Sequence, residues 1–569
     1  MKKIKIIAAF ALIFGLISCQ QSTKKQTTLE IADAIYFGGD IVTMEGETAT
    51  YAEAIAVKNG KIAFVGPKKE ADKMIDENTK LNDLQGKTLF PGFIDAHCHF
   101  GGFPLQAVGA KLLPPPDAGV KNIPDLQKTL KEWATPENIS LTGWIFGAGY
   151  DESVMEEKRH PTKQELDEVS TEYPIIVIHI SGHFCSMNSK GLEIMGINEK
   201  SKNPAGGIIR RMPGTNEPNG VLEELAAIPL FGKALVPTSN EAVVKFAAAG
   251  QEMAISYGYT TVQEGRAMDE SFIQLAEANF FKIDVVSYVD YVHPTFFESK
   301  WNSKTYSNHY RIGGMKITLD GSPQGRTAWR TTPYVLPPAG ENKEYKGYPA
   351  IPNDKDVEAL YQLAFKNNWQ VQTHANGDAS IDQMIRSIKP AIEMYGNKDR
   401  RNILIHGQYI RTDQLDSLKK LDMIASLFPL HTFYWGDWHK QIIGDLLGNK
   451  ISPTRTALNK GVRLTIHTDA PVALPNLMRM VWTAVTRTSR SGKIIGDGEQ
   501  LTPYESMKCL TEWSAYQHFE DNNKGTITPG KIADFVVLDK NPLKVLKNNI
   551  KDILVMETIK EGNSIYKRK

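Results

Sequence analysis

The sequence contains few cysteines and no excess of charge of either sign. Four of the 569 residues are cysteine, and three of them, Cys98, Cys185 and Cys509, lie too far apart to suggest a disulfide framework. Lys and Arg number 66 against 65 Asp and Glu. This balance gives no indication of a nucleic-acid partner. Stability must therefore come from a large hydrophobic core, which a chain of this length can bury.

Long hydrophobic runs are also absent, apart from a short one at the N-terminus. Several lysines at the start of the chain precede the apolar stretch 6–17, which is shorter than the ~20 residues that span a bilayer as a helix. A basic start and a short apolar run are typical of a secretory signal. The stretch ends in Leu-Ile-Ser-Cys19, which resembles the bacterial lipobox. We therefore predict a lipoprotein signal peptide over residues 1–18 and a flexible tether over 19–30.

These N-terminal features predict where the protein resides. If Cys19 becomes the lipidated first residue, the protein is exported and anchored to a bacterial membrane, with its catalytic domain outside the cytoplasm. Membrane contact would then run through the lipid on Cys19 alone. The alternative is an ordinary signal peptide in which Cys19 is incidental.

Both ends of the chain have β-type patterns. An Asn-Gly pair at 59–60 separates two short apolar runs, which is a strong hairpin signal. In the C-terminal part, strand patterns occur at residues 533–538, 553–558 and 564–566. We predict that residues 31–88 and 525–569 together form one small β-sandwich.

Between these ends, short strand patterns alternate with helical ones such as residues 355–367. Such alternation predicts parallel strands, and eight of them suggest a closed (β/α)₈, TIM-like barrel. An open six-stranded sheet with two misassigned runs is the alternative. The barrel would occupy residues 89–524, and an insertion at about 100–240 is expected to cover its mouth. The predicted strands are 92–97, 259–264, 282–289, 314–319, 369–374, 402–406, 423–428 and 462–467.

Several predicted strands end in histidine or aspartate. His97 and His99 are two residues apart, so on a strand both would point to the same side. Later strand ends carry His374, His406, His467 and Asp469. In a parallel barrel the carboxyl ends of all strands meet at one rim. Imidazoles and carboxylates are ligands that divalent metals such as zinc favour. Each residue alone has a structural explanation, but their joint pattern predicts a metal site.

The same segments resemble a known family. The sequence Leu-Phe-Pro-Gly-Phe-Ile-Asp-Ala-His-Cys-His at 89–99 resembles the opening motif of the amidohydrolase superfamily. Later segments are similar to the family called amidohydrolase 3: Ser181-Gly182-His183 with Asn188-Ser189, Lys316 to Ser322, His374 to Asp378 and His467 to Pro471. The resemblance extends from about residue 33 to the C-terminus. The segment Gly-Ser-Pro-Gln-Gly at 321–325 departs from the Gly-Ser-Leu-Gly form common in relatives, which leaves the pocket shape open.

The resemblance implies a metal centre with one or two divalent ions, zinc being the expected metal. Lys316 would bridge two ions if carboxylated by CO₂, because a free ammonium repels metal. An unmodified Lys316 beside a single ion is the alternative. Asp469 would both contact metal and transfer protons, and Cys98 and Glu264 are alternative ligands. The implied ligands are His97 and His99 for the first ion, His374 and His406 for the second, with Lys316 and Asp469.

The predicted function is hydrolysis of a non-peptide C–N bond in a small amide, formamide or cyclic amide by metal-activated hydroxide. Asp469 would take the proton of the attacking water and pass it to the leaving nitrogen. Predicted substrate contacts are His183, Arg326, His431 and Trp435. Two alternatives stay open. The same site could cleave an ester, lactone or carbamate, or the chain could be a lipid-anchored binding protein without activity.

Overall fold

The computed structural model describes residues 30–204, 206–338 and 340–569. The predicted signal peptide, Cys19 and the tether up to residue 29 lie outside these residues. Among the described residues, no helix is both long and apolar enough to cross a bilayer. The strands form three sheets, which we call the parallel sheet, the terminal sheet and the insertion sheet.

The parallel sheet has eight strands whose spatial order follows the chain. Each overlaps one of the eight predicted strands, although the first is much shorter than expected. The strands are Phe93–Ile94, Tyr259–Ala267, Asp284–Asp290, Tyr310–Thr318, Gln370–Ala375, Ile403–His406, Ile424–Leu427 and Arg463–Ile466. Just beyond the two edge strands, the Asp469 N–H donates to the His97 carbonyl over 3.0 Å. The sheet is therefore curled, and its first and last strand ends meet.

Helices connect the strands of the parallel sheet and cover its outer face. The helix Asp354–Lys366 was predicted at 355–367 and begins where the Asn353 side chain accepts a hydrogen bond from the Lys355 N–H. Val357 and Tyr361 are among its buried residues, as the helical spacing of its apolar residues requires. The others are Asn240–Ser256, Ser271–Glu277, Asp378–Tyr395, Thr412–Lys420, Leu430–Ile443, Asp445–Gly448, Thr454–Asn459, Leu477–Thr486, Pro503–Lys508 and Glu512–Gln517.

The terminal sheet combines strands from both ends of the chain. Phe535–Leu538 pairs antiparallel with Thr88–Pro91, and the Tyr36 and Phe535 rings pack edge to face. At the predicted hairpin, Asn59 and Gly60 have φ of 51° and 72°, the left-handed geometry that a tight two-residue turn needs. The strands are Ala34–Val42, Tyr51–Lys58, Lys61–Gly66, Lys80–Asp83, Thr88–Pro91, Phe535–Leu538, Val555–Lys560 and Asn563–Lys567.

The insertion sheet lies between the first and second strands of the parallel sheet in the chain. It lies against the carboxyl ends of the parallel strands, since the rings of His183 and His374 are 6.4 Å apart. Its strands are Ala110–Lys111, Ile145–Tyr150, Ile175–His179, Phe184–Met187, Gly207–Arg211 and Pro218–Glu224. Its helices include Phe103–Val108, Ile123–Trp133, Pro136–Ile139, Lys163–Asp167, Ser189–Ile194 and Ile228–Ala234.

A group of buried charges joins the parallel sheet to the terminal sheet. Asp284 lies at the amino end of its strand, and its Oδ2 atom is 2.6 Å from Lys524 Nζ and 2.8 Å from Lys560 Nζ. Lys560 also contacts Asp534 at 2.8 Å, and Lys524 contacts Glu520 at 2.5 Å. We call these five residues the junction cluster. In it, every carboxylate lies against at least one ammonium group.

Candidate metal centre

His97, His99 and Asp469 form one side of a polar cluster at the carboxyl ends of the parallel strands. Asp469 Oδ1 is 3.5 Å from both His97 Nε2 and His99 Nε2, and ligand atoms of the three residues lie within 4.8 Å of one another. The expectation that both histidines lie on a strand is wrong. The strand ends at Ile94, and the loop that follows it brings the two imidazoles together.

Three further imidazoles complete the cluster. His406 Nε2 is 3.1 Å from His374 Nδ1, and His406 Nδ1 is 3.1 Å from His467 Nε2. His467 was recognised as a strand end but not predicted as a ligand, yet its ring lies 5.3 Å from that of His97. Lys316 lies beside His97. We call these seven residues the rim cluster: His97, His99, Lys316, His374, His406, His467 and Asp469.

Two members of the rim cluster adopt an unusual backbone conformation. His406 has φ of 73° and Asp469 has φ of 54°, in the left-handed region that non-glycine residues seldom occupy. Such residues cost on the order of 1–3 kcal/mol and persist where the surroundings fix them, often at functional sites. Beside Asp469, the Thr468 hydroxyl donates to the buried Asp95 carboxylate over 2.5 Å. This hydrogen bond helps to hold the loop that presents Asp469.

Lys316 is almost fully buried, at 1% exposure. Its Nζ atom lies 3.3 Å from His97 Nε2. Burial is the main cause that lowers the pKa of Lys316, to about 8, although the Asp469 carboxylate opposes the shift. Lowering the pKa raises the proportion of neutral amine, which is the form that reacts with CO₂. The environment of Lys316 therefore suits carboxylation.

The surroundings favour the neutral form of most imidazoles of the rim cluster, and His99 is the exception. Burial, followed by the positive charge of Lys316, lowers the pKa of His97 and His374 well below its usual range. Burial and the neighbouring His374 do the same to the pKa of His406. For His99, burial is outweighed by the nearby carboxylates of Asp469 and Glu264, so its pKa is raised. Neutral imidazoles have a lone pair available for metal.

The donor set fits a divalent metal. Among the described residues, the Asp469 Oδ1 atom has no hydrogen-bond partner although it is buried. An orphaned carboxylate oxygen is costly unless a cation or a donor faces it. Histidine nitrogens and a carboxylate oxygen around one point are the ligands that zinc takes in proteins. Cys98 does not face this point, because its thiol donates to the Gln263 carbonyl.

Residues around the rim cluster orient its ligands. Gln263 donates its amide N–H to the Ala96 carbonyl over 2.7 Å, so its Oε1 atom faces His97 Nδ1 at 2.6 Å. His97 must then carry its proton on Nδ1, which leaves the Nε2 lone pair directed at the cluster. Gly265 packs directly on this ring, where a Cβ atom would lie 2.4 Å from His97 Cε1. In the sequence, only the position of Gln263 and Gly265 near the end of the second predicted strand could have indicated their role.

Of the predicted substrate contacts, the structure brings only His183 to the rim cluster. The His183 Nδ1 atom pairs with Glu224 Oε2 at 2.7 Å, and both side chains belong to the insertion. Burial alone would lower the pKa of His183, but the charge and hydrogen bond of Glu224 raise it. The Glu224 carboxylate also accepts a hydrogen bond from Thr327. Glu224 thereby fixes the orientation of the His183 ring beside the cluster, and a protonated His183 can donate a hydrogen bond from Nε2.

Arg326, His431 and Trp435 lie elsewhere. The Trp435 indole is buried and donates to Asp151 over 3.0 Å. His431 pairs with His439 at 2.9 Å. Arg326 donates to the Pro337 carbonyl. None of the three lines the cavity beside the rim cluster. The His431 ring packs on Trp435, and the Arg326 guanidinium lies over the Trp438 ring.

A cavity of about 270 Å³ separates the insertion from the rim cluster. Its polar lining includes His99, Lys316 and Asp469. Apolar residues of the insertion and Val472 line it as well. Its apolar lining includes Leu105, Ile178, Ile180, Phe231 and Val472. A small molecule with an apolar group can therefore reach the predicted ligands.

Comparisons with known proteins agree with this arrangement. The chain is 26% identical to the protein LONG AFTER FAR-RED 3 of Arabidopsis thaliana, over 94% of this chain and 92% of that protein. It is 25% identical to the N-substituted formamide deformylase of Arthrobacter pascens, over 95% and 99% of the two chains. A solved metal-dependent hydrolase from Pyrococcus horikoshii shares the fold, with a TM-score of 0.72, 22% identity and coverage of 90% and 99%.

The family comparison covers most of the chain. The model of the amidohydrolase family matches residues 80–566, which include all of the parallel sheet, the insertion and the C-terminal strands. The match contains every residue of the rim cluster. The protein is thus an enzyme of the hydrolase class, and the chain belongs to the amidohydrolase family.

Proposed function

We propose that the protein hydrolyses the C–N bond of a small amide, formamide or cyclic amide, with zinc held by the rim cluster. The observation that carries this proposal is the buried, unpartnered Asp469 Oδ1 atom facing the Nε2 atoms of two histidines. The similarity to a formamide deformylase over nearly the whole of both chains supports it.

In this proposal His97, His99 and Asp469 would hold one ion, and His374 and His406 would hold a second. A carboxylated Lys316 would add a further anionic ligand. When bound, the metal activates a water molecule and polarises the carbonyl of the substrate. His467 lies behind His406 and supports it, since its other nitrogen pairs with Ser426 at 2.9 Å.

The side chains of the protein move the proton and orient the substrate. Asp469 accepts the proton of the attacking water and transfers it to the leaving nitrogen, so no separate nucleophile is required. His183 donates a hydrogen bond to the substrate carbonyl or to the leaving group, and Glu224 fixes the orientation of its ring. The apolar wall of the cavity excludes bulk water and strengthens these electrostatic interactions.

Two structural expectations are part of the same proposal. We propose that the parallel sheet forms a closed barrel. The hydrogen bonds between the segments that follow its first and last strands support this. We also propose that residues 31–88 and 525–569 form one β-sandwich unit, supported by the pairing of their strands in the terminal sheet.

We further propose that the protein is exported and anchored through a lipid on Cys19. The support is the N-terminal sequence, with its lysines, short apolar stretch and lipobox-like end. Mass spectrometry of protein extracted from membranes should find an acylated Cys19 at the N-terminus. An unmodified N-terminus at another residue would contradict this proposal.

The enzymatic proposal is tested with a panel of N-substituted formamides and amides, and with esters of matched shape. Protein stripped of metal and reloaded with zinc should hydrolyse the amides, and the stripped protein should not. The variant Lys316→Ala distinguishes two ions from one, because loss of the carboxylated lysine should reduce zinc content by about one ion per chain. If only the esters are hydrolysed, the enzyme cleaves ester bonds and not C–N bonds. Zinc binding without any hydrolysis would favour a binding protein.

A further inference from the structure

Arg266 is a charged residue of the cavity that sequence reasoning did not select. It lies near the end of the strand Tyr259–Ala267. Its Nε atom donates to Asp290 Oδ2 over 2.5 Å. Asp290 is fully buried, and its other oxygen accepts from the Val292 N–H over 3.1 Å. The Nε side of the Arg266 guanidinium is therefore held by the Asp290 carboxylate, which is in turn held by a backbone hydrogen bond.

The outer edge of the same group is free. In residues 30–204, 206–338 and 340–569, no side chain or carbonyl accepts a hydrogen bond from the terminal nitrogens of Arg266. The side chain is 28% exposed and lines the cavity together with His183 and Lys316. Two parallel N–H donors of a fixed guanidinium thus face the space next to the rim cluster.

Comparison with Arg487 shows that this arrangement differs from that of a structural arginine. Arg487 is fully buried and uses all three of its side-chain nitrogens on backbone carbonyls of residues 451, 452 and 495, at 2.6 to 2.9 Å. An arginine that serves packing satisfies its donors within the protein. Arg266 satisfies one donor and presents the others to the cavity.

The chemistry of a fixed guanidinium edge identifies its ligand. Two parallel N–H groups match the two oxygens of a carboxylate, which they bind in bidentate fashion. The same cavity is also lined by the apolar side chains of Leu105, Ile178 and Phe231. A ligand that fills this cavity therefore combines a planar anion at Arg266 with an apolar group.

We propose that Arg266 binds a carboxylate of the substrate, so that the enzyme acts on amides that carry both a carboxylate and an apolar substituent. The inference rests on the proposed hydrolytic function and adds the class of substrate to it. Asp290 acts as a positioning residue, because it reaches the substrate only through Arg266. Arg326, which the sequence predicted as a substrate contact, is not among the residues that line this cavity.

Hydrolysis of two substrates tests the proposal. The pair is N-formylphenylalanine, assayed as each enantiomer, and N-formyl-2-phenylethylamine, which lacks the carboxylate. The wild type should prefer one enantiomer of the acid. Arg266→Gln should lower kcat/KM for that acid by about 100-fold, the loss expected when one partner of a buried charge pair is removed, and leave the neutral substrate nearly unchanged. Arg266→Lys should recover only part of the loss, because a lysine lacks the planar fork.

Binding of two non-hydrolysable probes separates this inference from the hydrolytic proposal. Calorimetry on zinc-loaded protein should show that 3-phenylpropionate binds more tightly than 3-phenylpropanamide, and Arg266→Gln should abolish the difference. Arg386→Gln removes an exposed arginine that pairs with Asp354 and is the matched control, with no change expected. If the preference survives in Arg266→Gln, or the variant loses activity equally on both substrates, the inference is overturned. If the preference depends on Arg266 but neither substrate is hydrolysed, the hydrolytic proposal fails instead.

Discussion

The two ends of the parallel strands each contain a buried polar cluster, and the two clusters differ in how their charges are matched. In the junction cluster, at the amino end, Asp284 lies between two lysines at 2.6 and 2.8 Å. In the rim cluster, at the carboxyl end, Asp469 has an oxygen without a hydrogen-bond partner. Burying a charge costs several kcal/mol unless a partner compensates for it. In the junction cluster the compensating charge is a lysine of the protein itself. In the rim cluster it would have to come from a bound cation.

This difference separates stability from function. Removing either partner from a paired cluster destabilises the fold, because the remaining charge would be buried alone. An unpaired cluster is strained without its ligand, so substitution of one member need not destabilise the fold.

The largest effect is expected at Asp469. Asp469→Asn removes the proton acceptor but keeps the shape, so kcat should fall by roughly 10²–10⁴-fold, the usual contribution of a general base. The free energy of unfolding of the metal-free protein should stay within about 1 kcal/mol of the wild type, as expected for a change that leaves no unpaired charge. Steady-state kinetics and denaturant unfolding measure the two quantities. Activity that persists in this variant would remove Asp469 from the proposed role.

The second largest effect is expected in the junction cluster. Lys560→Met leaves Asp534 without its ammonium partner and should reduce the free energy of unfolding by about 3–5 kcal/mol. Zinc content should not change. The control is Lys544→Met, because Lys544 is exposed and pairs with Asp40 at the surface, where a salt bridge contributes about 0–1 kcal/mol. Equal losses in the two variants would show that burial of the junction cluster is irrelevant.

The third prediction concerns stability at low pH. Burial alone would raise the pKa of Glu520, but the charges of Lys524 and Arg311 lower it to about 2. A carboxyl group whose folded pKa is depressed stabilises the protein above its unfolded pKa, ~4.3. That stabilisation is lost as the pH falls from this value towards about 2. Unfolding measured between these pH values should show a steeper loss in the wild type than in Glu520→Gln. Parallel pH profiles would contradict the pairing.

The smallest effect is expected from a single methyl group behind the rim cluster. Gly265→Ala places a Cβ atom against the His97 ring and should weaken zinc binding by about 10–100-fold, as changes to groups that orient metal ligands do. Gly232→Ala is the control, since a Cβ atom there meets nothing within 4 Å. Competition with a chromogenic chelator measures the affinity. Unchanged zinc affinity in Gly265→Ala would show that the position of His97 is not critical.

The sequence predicted the strands of the parallel sheet because their apolar runs and polar ends are local signals. It also selected six of the seven residues of the rim cluster. It could not predict that the first strand ends at Ile94. The bend that carries His97 is fixed by Gln263, which comes from a distant segment, and by Asp95 in the same loop.

Side chains whose role depends on packing were harder to predict. Trp435 was predicted as a substrate contact, yet its indole donates a hydrogen bond to Asp151 of the insertion. Arg266 carried no motif, and only the buried carboxylate of Asp290 behind it and the cavity in front of it indicate a role. Such relations join elements far apart in the chain and leave no local pattern.

Counting metal ions per chain shows whether the rim cluster binds a divalent metal. Purified protein is saturated with zinc, dialysed, and analysed by mass spectrometry of the element, beside the double variant His97→Ala/His99→Ala. We expect one or two zinc ions per wild-type chain and the loss of at least one of them in the variant, while Lys560→Met keeps the wild-type content. A wild type without tightly bound zinc, or a double variant that binds as much as the wild type, would contradict this expectation.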